Sequence, residues 1–231
     1  MRDKGMTMKK LQHIIMITLI LIGLATPALA QEQTDDFNVA AKHAIAIETT
    51  TGKVLYEKDA TTPNGVASMT KILTAYMVYK AVDQGKINWD TEVNISDYPF
   101  NLTVDSEVSN IPLDSRKYTV KQLLDATLIS SANSAAIALA EKISGTESAF
   151  VDTMTAQLKE WGITDAKLFN ASGLNNKYLG DNRYPGSKPN DENTMSALDV
   201  AIIADHLIKD YPQVLEITKR KPKLISNVTT N

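Results

Sequence analysis

Apolar residues fall along this chain in two rhythms. The runs Ala44-Ile45-Ala46-Ile47 and Val54-Leu55-Tyr56 are short, and Thr50-Thr51-Gly52-Lys53 lies between them. That pattern predicts two strands around a glycine-containing turn. After a polar break at Thr61 to Asn64 holding Pro63, a helical pattern begins near Ser68 and is expected to stop at Gly85. Met69, Ile72, Leu73, Ala75, Tyr76, Met77, Val78, Ala81 and Val82 point in nearly every direction around that helix. A helix apolar all round is a buried one. Trp89 to Tyr118 is rich in Asp, Ser, Asn and Pro, which predicts loops and short strands. Val120, Leu123, Leu124 and Leu128 give a helix over Thr119 to Ile129, broken at Ser130-Ser131-Ala132-Asn133 and resumed over Ala135 to Ile143. Phe150, Val151, Met154 and Leu158 share one face of a helix over Glu147 to Trp161. A long polar stretch around Asn170 to Met195 reads as a loop, of the length that is usually functional. Ser196 caps a last helix, ended by Pro212.

The first thirty residues follow another logic. Lys9 and Lys10 precede an apolar run from Ile14 to Leu24, and Ala28-Leu29-Ala30 closes it. A basic start, a short apolar core and a small-x-small exit predict a signal peptide over 1–30, cleaved after Ala30. The chain is therefore expected to be exported, with 31–41 as a polar tether and one domain over 42–231. The 231 residues include no cysteine, so disulfides hold nothing. A formal charge of -3 gives no reason to expect a nucleic-acid partner. The basic run Thr218 to Lys223 reads as a solvated segment after a helix.

Candidate chemistry centres on Ser68-Met69-Thr70-Lys71. The helical neighbours of Lys71 at three and four residues are Ser68, Ala67, Thr74 and Ala75, and none is acidic. A buried lysine without a carboxylate tends to lose its proton, because desolvation disfavours the charged form. Three residues along a helix, its amine lies beside the Ser68 hydroxyl. Taken alone, Ser-x-x-Lys reads first as a capping serine and a lysine reaching water. The break at Ser131-Ala132-Asn133 adds a second hydroxyl and an amide facing whatever cleft the kink opens on. Alone it too reads as a helix-helix turn. The two motifs about sixty residues apart in an exported chain are specific together.

The pair resembles the serine D-alanyl-D-alanine carboxypeptidases, the low-molecular-mass penicillin-binding proteins. The likeness extends to Ala44 to Ala60, to Phe169-Asn170-Ala171-Ser172-Gly173-Leu174 and to the helix start at Ser196 to Asp199. It implies an α/β (α+β) fold of the serine β-lactamase/transpeptidase type, with a helical subdomain and an incomplete antiparallel sheet. It implies that Ser68 attacks the D-Ala-D-Ala carbonyl and that Lys71 takes its proton. Ser131 would relay a proton to the leaving D-alanine, and Asn133 would bind the amide of the acyl side. The partners implied are peptidoglycan stem peptides and β-lactam antibiotics, with no metal or other cofactor. His43 and His206 have no part in such a constellation, and His13 lies in the leader.

The family's third motif, Lys-Thr-Gly, occurs nowhere in the 231 residues. The expectation is a chain truncated before that strand and without the family's membrane anchor. Its activity is expected to be reduced or absent, and the Ala44 to Ile47 strand to lack a neighbour. The alternatives are a wall-peptide-binding remnant without turnover and, with Glu192 in the long loop, a β-lactamase.

Overall fold

The computed structural model describes residues 37–104 and 108–221. The signal-peptide reading of 1–30 lies outside them. Residues 37–40 belong to a separate N-terminal unit and form neither helix nor strand. Every helix and strand of the described residues lies in the unit that begins at Ala41.

The expected hairpin is present. Strand β1 (Ala44–Ile47) pairs antiparallel with β2 (Val54–Lys58), and Gly52 closes the turn at φ +74. Strand β3 (Asn64–Gly65) then leads into a 3-10 turn, Ala67–Met69, and helix α1 (Thr70–Asp83). Ser68 is therefore in the turn ahead of the helix and is not its cap. The C-terminus of α1 is a Schellman arrangement: Gly85 N–H donates to Val82 O and Lys86 N–H to Ala81 O, with Gly85 at φ +68.

Strand β4 (Glu92–Asn94) and strand β5 (Lys117–Thr119) enclose the polar stretch and pair antiparallel, Val93 opposite Tyr118. Between them lies a short helix, α2 (Asp97–Asn101), which the sequence pattern does not predict. Pro99 suggested a break, but it occupies the first turn, where the missing N–H would have no helical partner anyway. Helices α3 (Val120–Ile129), α4 (Asn133–Ser144), α5 (Glu147–Glu160) and α6 (Ala197–Asp210) follow the predicted pattern within a few residues. Capping boxes at Thr119 with Gln122 and at Ser196 with Asp199 start α3 and α6. Pro212 ends α6, yet one more short helix, α7 (Val214–Thr218), comes after it and buries Val214 and Ile217.

Helix α1 is packed by α3, α4, α5 and α6 together, which is why it carries apolar residues all round. Leu73, Val78, Leu123, Leu124, Ile137, Leu139, Phe150 and Met154 fill the space between these helices. Among the described residues the antiparallel strands do not join into one sheet. They form three separate two-stranded ladders: β1 with β2, β4 with β5, and β3 with β6 (Thr194–Met195). The last ladder ties the far end of the long polar loop to the strand that precedes Ser68.

Candidate active site

The 3-10 turn sets the first residue. Ala67 sits at φ +43, a region that an alanine enters only when its surroundings impose it. The turn leaves Ser68 exposed, while Lys71, one turn on, is 3% exposed. Lys71 Nζ is 3.1 Å from Ser68 Oγ, 2.7 Å from Asn133 Oδ1 and 2.7 Å from the Ser172 carbonyl. A hydroxyl, an amide oxygen and a peptide oxygen surround the amine, and none of them carries a charge. Burial pulls its pKa down to about 8. The proton is therefore shared between states near physiological pH, as a general base requires.

Asn133 is the first residue of α4. Its backbone N–H and its Nδ2 both donate to Ser109 O, at 3.1 and 2.9 Å, which aims Oδ1 at Lys71. Its amide is thus engaged at both ends. Ser131 stands two residues earlier at φ +53, half-buried in the break between α3 and α4. The structure brings Ser68, Lys71 and Asn133 into one hydrogen-bonded group. No hydrogen bond joins Ser131 to that group among the described residues.

The third partner of Lys71 was not visible as a site residue in the sequence. The loop around Ser172 is folded on the side chain of Asn170, whose Oδ1 accepts from Ser172 N, Ser172 Oγ and Gly173 N. Asn193 braces it from the other side. Its Oδ1 accepts from Phe169 N and its Nδ2 donates to Asn170 O and to Thr70 Oγ1. Thr74 Oγ1 donates to Ala171 O. Gly173, at φ +77, packs so closely on the turn that holds Ser68 that a Cβ there would lie 1.8 Å from Ala67 O. The sequence signals for this support were the density of Asn, Ser and Gly in the 170–174 stretch and the family likeness of Phe169 to Leu174, neither of which assigned a role to Ser172.

The remaining candidates lie elsewhere. His43 is hydrogen-bonded to Asp59 O and Asn64, and His206 stacks on Trp161 with ring centroids 4.3 Å apart. Neither is hydrogen-bonded to a serine among the described residues. The Glu192 carboxylate lies against the Cα of Gly65, not against the amine.

Comparison with known proteins gives these residues a setting. The family model for D-alanyl-D-alanine carboxypeptidases of peptidase family S11 matches residues 28–231. The D-alanyl-D-alanine carboxypeptidase DacF of Bacillus subtilis is 34% identical over 214 residues, covering 91% of this chain and 50% of that protein. A crystal structure of a peptidoglycan synthesis regulatory factor (PBP3) from Streptococcus pneumoniae is 61% identical with a TM-score of 0.80, covering 84% of this chain and 55% of that one. Penicillin binding protein 5 from Haemophilus influenzae is 28% identical with a TM-score of 0.68, covering 78% of this chain and 48% of that one. The chain spans about half the length of the curated relatives it matches.

Proposed function

The chain belongs to the D-alanyl-D-alanine carboxypeptidase family, and from that premise we propose that it forms an acyl-enzyme at Ser68 with Lys71 as general base. The observation that carries this reading is the buried Lys71 amine 3.1 Å from an exposed serine hydroxyl, with no carboxylate to hold its proton. In the proposed reaction Ser68 Oγ attacks the carbonyl carbon between two D-alanines of a peptidoglycan stem peptide. Lys71 takes the hydroxyl proton as the new C–O bond forms. The C–N bond then breaks, the leaving amine takes a proton and D-alanine departs. Water hydrolyses the ester and restores Ser68. Ser131, beside the group, is the proposed donor to the leaving amine, and Asn133 steadies Lys71 while it faces the acyl chain. A β-lactam offers the same carbonyl, but its amine stays attached after ring opening, so the ester persists. The substrate places the reaction in the cell wall, to which the leader read over 1–30 would deliver the chain.

The test is intact mass of the chain with benzylpenicillin, beside a Ser68→Ala variant and a thermal melt. One adduct per chain, absent from the variant, is the expected result. Its rate should rise as pH passes upward through about 8, because only the neutral amine can accept the proton. A cooperatively melting chain that takes no adduct would sink the proposal.

A further inference from the structure

Two acids are buried among the described residues: Asp199 is used in the capping box of α6, while Glu147 has no part in the acylation chemistry. Glu147 opens α5 and is 6% exposed. Its Oε1 accepts from the Ala171 N–H at 2.8 Å, and its Oε2 accepts from the Tyr98 hydroxyl on α2 at 2.8 Å. No lysine or arginine pairs with it among the described salt bridges. Removing a carboxylate from water without a cation costs several kcal/mol, so its retention in the core calls for a reason. Its position offers one. Ala171 directly precedes Ser172, whose carbonyl holds the Lys71 amine. The Ala171 peptide is gripped at both ends, N–H by Glu147 and carbonyl by Thr74. Together with Asn170 Oδ1, which accepts from the Gly173 N–H of the peptide that carries the Ser172 carbonyl, those grips constrain where that carbonyl points.

Building on the reading of Ser68 and Lys71 above, we propose that Glu147 is a positioning residue for the general base: through the Ala171 peptide it aims the Ser172 carbonyl that holds the Lys71 amine beside Ser68. The same contact makes the arrangement sensitive to pH. Burial pushes the Glu147 carboxyl up to about 7, the Ala171 N–H and Tyr98 hydroxyl oppose that shift, and the nearby Glu141 carboxylate on α4 adds to it. Ionised, Glu147 grips Ala171 through a charge-assisted hydrogen bond; protonated, it grips more weakly. The base is thus held best above about pH 7, where it also begins to lose its own proton.

The test follows Lys71 directly, in the full chain with 13C-labelled lysine. Its resonance is identified by its loss in Lys71→Arg and titrated between about pH 5.5 and 9.5, a span covering both groups. Acylation by benzylpenicillin is measured over the same span. Glu147→Gln should lower the Lys71 titration midpoint and slow acylation about tenfold, the loss of one charged hydrogen-bond acceptor. Below about 7 the parent's acylation rate should fall more steeply than one titrating lysine allows, and the variant's should not. A Lys71 titration unchanged in Glu147→Gln would overturn the proposal. Should that variant not fold, Tyr98→Phe removes a bond that lowers the Glu147 pKa. The lower inflection of the Lys71 resonance must then move to higher pH, and one that stays in place overturns the proposal equally. A parent that takes no adduct defeats only the reading of Ser68, because the lysine resonance still reports on Glu147.

Discussion

At Ser68 the oxygen proposed as the nucleophile is presented by a backbone that has little freedom. Ala67 is held at positive φ, and Gly173 presses on its carbonyl from the facing loop. A methyl group at 173 has nowhere to go: it would overlap Ala67 O and approach Thr70 Oγ1 at 2.8 Å, on a φ that L residues disfavour by about 1–2 kcal/mol. Gly173→Ala is therefore expected to push the 3-10 turn and Ser172 apart and to slow acylation far more than it lowers the melting temperature. Equal acylation of variant and parent, followed by mass spectrometry, would show that this close approach does not set the nucleophile. Lys71 was legible in the sequence because its own helix offers no acid within reach. Ser172, Asn170 and Glu147 were not, since they reach the site from far along the chain and one of them acts through a peptide carbonyl, which no side-chain pattern reveals.

The long helices were readable because their apolar residues recur at helical spacing, and α3, α5 and α6 also open on a capping threonine or serine. In α3, the Thr119 hydroxyl accepts from Gln122 N–H while the Gln122 side chain accepts from Thr119 N–H. Thr119 also belongs to β5 and opens the helix that leads to Ser131 and Asn133. Thr119→Ala should cost about 1 kcal/mol of stability in a denaturant melt, the usual worth of such a cap. A loss near zero would mean that packing alone fixes the start of α3. The short elements were harder. Helix α2 and helix α7 have five residues each, too few for a period to show; α2 contains Pro99 and α7 follows Pro212, and a proline argues for a break. The three small ladders are likewise set by tertiary contact: β3 and β6, of two residues each, have no strand signature of their own.

Taken whole, the molecule buries its helices well and its β1–β2 hairpin poorly. On β2, Leu55 is 61% exposed and Val54 46%, neighbours on a strand that has one ladder partner among the described residues. Exposed apolar residues on an open strand invite edge-to-edge pairing with another chain. Leu55→Lys should reduce self-association in sedimentation experiments at high protein concentration while leaving the acylation rate intact, since the hairpin contributes no residue to the group around Lys71. Identical sedimentation of variant and parent would remove the hairpin as the contact surface.

The ties at Lys71 also set a timetable. The amine is held from 62 residues downstream by Asn133 and from 101 residues downstream by Ser172. On that proposal the serine emerges first during synthesis, and Lys71 has no burial to lower its pKa until the chain past Gly173 has closed over it. Chain closure over such separations is a late event in folding. A nascent chain would therefore carry Ser68 without its proposed base, and any reactivity would arrive together with the finished fold.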